Sequence, residues 1–75
     1  MKKLNLENLL IIISESTGIK INDLNSDSCA NDFAKWDSLA HVKLMLEIQK
    51  ANGKKISTSK MSELNSVKSI LKFFN

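Results

Sequence analysis

A chain of 75 residues has room for one domain, and domains of this size bury only about 60% of the surface their unfolded chains expose, which argues against a deep polar catalytic cleft. With 43% hydrophobic and 25% charged residues the composition is that of a folded domain, while 2 Gly and no Pro argue against a β-sandwich or barrel. The net charge of +3 sets 11 lysines, with no arginine, against 8 interspersed acids, a mixed solvated surface without a basic block. The lone Cys29 excludes an internal disulfide and any cysteine-rich zinc site, and the single His41 weakens a metal reading further.

The start, Met1-Lys2-Lys3 before Leu4, has the charge of a signal peptide. Asn5, Glu7 and Asn8 interrupt the apolar stretch, however, and no small-residue cleavage site follows Ile13. No apolar run approaches the roughly 18 residues of a membrane span. The expected location is the cytoplasm, without membrane association and with Cys29 reduced.

The first predicted element is a helix from about Leu4 to Thr17. Leu6, Leu9, Leu10 and Ile13 recur at i, i+3, i+4 and i+7, a face that Ile11 and Ile12 widen. Gly18 supplies a left-handed stop, after which Ile19 folds back onto the last turn. From about Ile19 to Asp37 the chain is rich in Asn, Asp and Ser, a connection whose length suggests function. Its apolar residues Ile21, Leu24, Phe33 and Trp36 are expected to pin it across the helices. The second helix is expected to start at Asp37-Ser38, either of which can cap it, and to stop at Gly53. Leu39, Val42 and Leu46, with Met45 beside them, are its predicted buried stripe. Thr58 to Leu64 is predicted as a short helix of about two turns with Ile56, Met61 and Leu64 inward. Ser66 is expected to cap a last helix in which Val67, Ile70, Leu71 and Phe74 repeat the helical spacing. The expected fold class is all-α, a four-helix bundle of three longer helices and one short one, with a long loop between the first two.

Trp36-Asp37-Ser38-Leu39 is the one segment whose residue types and position suggest chemistry. A serine at a helix head projects its hydroxyl outward, and the first-turn N–H groups and the helix dipole favour an anion there. A phosphate ester on Ser38 is therefore electrostatically well placed. The plainer alternative is that Ser38 only caps the helix. His41 lies one turn from Ser38, but no oriented acid and no Cys–His or Ser–His–Asp set accompanies it. No catalytic residue and no enzyme activity are expected.

Four stretches stand out together, Ile13-Ser14-Glu15-Ser16-Thr17-Gly18-Ile19, Asp37-Ser38-Leu39, Ile56-Ser57 and Leu64-Asn65-Ser66-Val67. With the long loop before Ser38, they resemble the acyl carrier proteins, small four-helix carriers of thioester-bound acyl groups. The likeness runs over nearly the whole chain, although Asp-Ser-Leu alone is weakly specific. It implies a 4′-phosphopantetheine arm, taken from coenzyme A by a phosphopantetheinyl transferase with a magnesium ion and joined to Ser38, with Asp37 and Leu39 as the rest of the motif. It implies acyl-loading and acyl-using enzymes as partners, neither nucleic acid nor membrane, and a monomeric, discrete bacterial carrier. The residues expected at the partner surface are Trp36, His41, Val42, Lys43, Met45, Glu47 and Lys50. Trp36 and Met45 have a second reading, as packing residues.

The chain also departs from that pattern. The family is usually acidic on its second helix, where this chain has Ala40, Lys43, Gln49 and Lys50, with Glu47 as the helix's one acid. Partners with neutral or acidic docking faces, in a dedicated pathway rather than general fatty acid synthesis, are expected. Asn52 stands where the family often has an aromatic residue, and Phe73, Phe74 or Trp36 can replace the lost volume. Lys35 stands where it often has Gly, so Lys35 either costs about 1 kcal/mol at positive φ or the loop turns differently. Lys54-Lys55 reads as a solvated turn or an acidic-partner contact, and Cys29 as a half-buried residue rather than a reactive thiol.

Two other functions remain open at this point. One is a carrier-fold interaction module that is never modified. The other is a small basic DNA-binding protein, for which Lys43, Gln49 and Lys50 would be the recognition residues. The loop of roughly 19 residues ahead of that helix, in place of a tight turn, and the lack of arginine argue against it.

Overall fold

The computed structural model describes residues 4–74. Met1, Lys2 and Lys3, the charged start weighed above as a signal peptide, lie outside the described residues, as does Asn75. Among the described residues there are four α-helices and no strand: α1 Leu6–Thr17, α2 Ser38–Asn52, α3 Thr58–Glu63 and α4 Val67–Phe74. None is long and apolar enough to cross a membrane.

Helix α1 begins where its first donors find a cap. Asn5 is extended, and its side chain accepts the Asn8 N–H at 2.7 Å. Leu4 outside the cap and Leu9 inside the helix are both buried, the placement of a hydrophobic staple. Ile13 is buried as expected and Leu10 and Ile12 are half-buried, but Leu6 and Ile11 are exposed. The core-facing arc is narrower than the run of Leu and Ile. Gly18, at φ 82, ends the helix with its N–H on the Ser14 carbonyl at 2.9 Å, and Ile19 turns into the core.

In α2 the cap is Asp37, whose carboxylate accepts the Ala40 N–H at 2.9 Å, so Ser38 is the first helical residue. The expected stripe is corrected here. Leu44, Met45, Ile48 and Asn52 face the core, whereas Leu39, Val42 and Leu46 are 81%, 48% and 50% exposed. At about 100° per residue the two apolar sets lie on opposite sides of the helix, and the bundle buries the second. Gly53, at φ 85, ends α2 with its N–H on the Gln49 carbonyl at 2.7 Å.

The short α3 is capped by Ser57, whose hydroxyl accepts the Lys60 N–H at 3.2 Å. Ile56 and Leu64 are buried at its ends and Met61 is half-buried. At the head of α4, Ser66 Oγ accepts the Ser69 N–H and Ser69 Oγ accepts the Ser66 N–H, each at 3.2 Å. This is a capping box made with serine in place of an acid or amide. Val67, Ile70 and Phe74 are buried as expected, and Leu71 packs against the core. Phe74 and Trp36 both join that core, with Phe73 half-buried beside it. Lys54 is engaged rather than simply solvated, its Nζ donating to the Phe73 carbonyl at 2.8 Å and standing 4.2 Å from the centre of the Phe73 ring.

The connection between α1 and α2 is ordered by two 3-10 turns, Ile21–Asp23 and Ala30–Asp32. Leu24 and Trp36 anchor it in the core and Phe33 packs partly, but Ile21 is exposed, since Ile19 and Leu24 on either side of the first turn take the inward places. Cys29 and Ser66 form an isolated antiparallel bridge, flanked by Ala30 N–H to Asn65 O at 2.8 Å and Val67 N–H to Ser28 O at 3.0 Å. Cys29 itself is half-buried. Lys35 does not take a positive φ, which among the described residues is confined to Gly18 and Gly53. The loop turns differently, and Lys35 Nζ donates to the Gly18 carbonyl at 3.3 Å, a cation at the end of α1.

Candidate functional site

The head of α2 carries the most accessible chemistry. Asp37 spends its carboxylate on the Ala40 N–H and its carbonyl accepts the His41 N–H at 2.9 Å. That fixes the first turn and leaves Ser38 exposed, with no hydrogen bond to its hydroxyl among the described residues. The N–H groups of Ser38 and Leu39 remain as the helix's free donors, at the positive end of a 15-residue dipole. An open groove of about 550 Å³ lies beside Ser38, between α2 and α3. The loop before α2 contributes Ala30, Asn31 and Trp36 to it, α3 contributes Thr58, Met61 and Ser62, and Asn65 after α3 also lines it.

Trp36 and His41 are tied to each other, and the tie defines the state of the imidazole. Trp36 is 3% exposed, and its Nε1 donates to His41 Nδ1 at 2.9 Å. An indole nitrogen only donates, so Nδ1 accepts and the proton of the neutral ring sits on Nε2. From there it is donated to the Met61 carbonyl at 2.7 Å. Both ring nitrogens are occupied, so this tautomer offers no base to Ser38. Among the described residues no three His, Cys, Asp or Glu side chains converge to hold a metal.

The residues expected at a partner surface therefore divide. Val42, Lys43, Glu47 and Lys50 are exposed on the outer side of α2, with Leu39 and Leu46 among them and Lys50 Nζ 3.7 Å from Glu47 Oε1. Met45 is corrected from that surface to the core, where it is fully buried. Trp36 is corrected likewise, its indole holding the loop onto the bundle, and His41 is half-buried and engaged internally. Leu46 and the groove residues Asn31, Thr58, Ser62 and Asn65 were missed by sequence reasoning. Leu46 was readable as part of an apolar set with Leu39 and Val42, but not as facing out. The groove residues come from three segments that only the packing brings together.

A second depression, of about 520 Å³, runs between the end of α1 and the outer side of α2, with Lys35 and Lys43 beside Leu39, Val42 and Leu46. An exposed apolar strip rimmed by cations is a feature of surfaces that meet a partner. No family model and no curated protein matches this chain, so the reading of the site rests on its own residues and geometry.

Proposed function

We propose that this chain is an acyl carrier, with Ser38 as the attachment point of a 4′-phosphopantetheine arm. The observation that carries the reading is the exposed, unengaged hydroxyl of Ser38 at the capped head of α2, beside an open groove. The four-helix architecture with a long ordered loop ahead of α2 supports it, as does the likeness of the sequence to the carrier family. The residues fit such a group. The Ser38 and Leu39 N–H groups and the α2 dipole favour a phosphodiester at this point by about 0.3–1 kcal/mol, and Asp37 holds the serine outward without competing for its oxygen.

In the attachment step Ser38 Oγ forms a bond to the pantetheine-bearing phosphorus of coenzyme A. The bond from that phosphorus to the bridging oxygen breaks, adenosine 3′,5′-bisphosphate leaves, and the hydroxyl proton passes to the transferase. When attached, the arm supplies a terminal thiol that holds an acyl group as a thioester. The protein's own part is to present the site and to dock partners through Leu39, Val42 and Leu46. Lys43 and Lys50 at that face select neutral or acidic partner surfaces, in keeping with a dedicated pathway rather than general fatty acid synthesis. Catalysis belongs to the partners, and the chain works in the cytoplasm as a monomer.

The test is intact mass after incubation with coenzyme A, magnesium and a broad-specificity phosphopantetheinyl transferase. One added phosphopantetheinyl group, absent from Ser38→Ala, is the expected result. No gain by two different transferases, with a known carrier modified in parallel, overturns it. The exposed strip on α2 then favours the second reading, an unmodified interaction module. Efficient malonyl loading by a general fatty-acid malonyl transferase would remove the dedicated-partner part alone.

A further inference from the structure

We propose that the bundle keeps the carried group outside its core, in the groove between α2 and α3, and so serves short acyl groups with polar substituents rather than long aliphatic chains. The inference rests on the carrier reading of Ser38. Three residues, Trp36, Ala30 and Met61, line the groove and also pack into or against the apolar core, so they are the wall between the two. Trp36 is the buried member of that wall, locked by its Nε1 to His41 Nδ1. His41 Nε2 in turn reaches the Met61 carbonyl, which joins α2 to α3, the two helices that would have to part to admit a chain. Behind the wall Leu44, Met45, Ile48 and Val67 are wholly free of solvent.

A close-packed interior gives a guest chain room only by rearranging. Parting α2 from α3 breaks the His41–Met61 bond and leaves the imidazole N–H and the Met61 carbonyl without each other, a loss that apolar contact must first overcome. Outside the wall the chemistry differs. Asn31, Thr58, Ser62 and Asn65 bring amides and hydroxyls to a groove whose apolar surface comes from Trp36, Val42 and Met61. A hydroxyl, amine or amide on a short cargo finds donors and acceptors there, a match that a plain aliphatic chain lacks.

The test uses the full chain loaded from acetyl-, 3-hydroxybutyryl-, octanoyl- and dodecanoyl-coenzyme A by the transferase, each product verified by intact mass. Trp36 is the one tryptophan and there is no tyrosine, so intrinsic emission reports on the wall itself. The expected result is no rise in Tm from the acetyl through the octanoyl to the dodecanoyl form, one emission maximum across those three, and the highest Tm in the 3-hydroxybutyryl form, whose hydroxyl the groove bonds. A Tm that climbs with chain length, with shifted emission in the octanoyl and dodecanoyl forms, overturns the proposal. In His41→Ala, which removes both bonds of the tie, the long-chain forms are expected to melt above the acetyl form. If that variant fails to fold, His41→Phe takes its place, keeping a ring and removing both nitrogens of the tie. A flat series in the folded variant removes the tie as the barrier and overturns the proposal. Absence of any mass gain in the wild-type protein, with a known carrier modified in parallel, removes the carrier reading instead, and mass alone tells the two failures apart.

Discussion

At the head of α2 the capping bond belongs to Asp37 and the free hydroxyl to Ser38, although the two residues are adjacent and both are common caps. This division makes a stability measurement informative about function. Asp37→Ala is expected to cost about 1 kcal/mol in urea unfolding, since the Ala40 N–H loses its acceptor. Ser38→Ala is expected to stay within about 0.5 kcal/mol of wild type, as a substitution at an exposed site without partners does. A cost near 1 kcal/mol for Ser38→Ala would return the serine to a capping role. His41 shows a different limit of sequence reasoning at the same scale. Its place one turn from Ser38 puts it among the expected partner-surface residues, but its ring turns inward to Trp36 and Met61. His41→Ala is expected to cost about 1–3 kcal/mol, the usual loss when a buried donor is left unpaired. The measurement is the urea midpoint, with m unchanged.

At the scale of the element, α2 carries two opposed apolar stripes, and the purely apolar one, Leu39, Val42 and Leu46, is the one left in water. The buried stripe was hard to read because Asn52 and the half-buried His41 interrupt it with polar types. The cap types Asp37-Ser38 and Gly53 located both ends of the helix, but periodicity could not choose a face, since that depends on what α1 presents. The single stripes of α1 and α4 gave no such choice, and there Ile13, Val67, Ile70 and Phe74 were placed correctly. Ser38 was legible because a cap and its neighbour are local features. The groove beside it was not, because Asn31, Thr58 and Asn65 meet only through tertiary packing. The two stripes are expected to separate in experiment. Ile48→Ala should cost about 2–5 kcal/mol as a core truncation, whereas Leu46→Ala should change stability by less than about 0.5 kcal/mol. If the chain is the proposed carrier and α2 docks its partners through the outer side, Leu46→Ala should also lower kcat/KM of a loading enzyme while leaving phosphopantetheinylation of Ser38 intact. Equal effects of the two substitutions on stability would contradict the burial pattern.

At the scale of the molecule, the loop that leads to Ser38 is held from the far side, by the α3–α4 junction. The Cys29–Ser66 bridge and its two flanking backbone bonds do most of this, and Lys68 adds a charged contact, its Nζ 2.7 Å from Asp27 Oδ1. The hydrogen bond to Asp27, and then the charge of that carboxylate, raise the Lys68 ammonium above the ordinary lysine value of 10.5. A raised folded-state value gives a stabilisation that is fully present below the unfolded value and is lost as pH rises through the folded one. The window is therefore alkaline, above 10.5, and neutral pH leaves the lysine charged and the contact in place. Both side chains are mostly exposed, at 73% and 76%, so the effect is small and screened by salt. Wild type is expected to melt slightly above Lys68→Met at pH 8 in low salt. The gap should close when the pH passes the lysine range, and close again at pH 8 in molar salt. A gap that persists under both conditions would mean that the lysine stem packs against the loop, and that the charge contributes nothing to holding it.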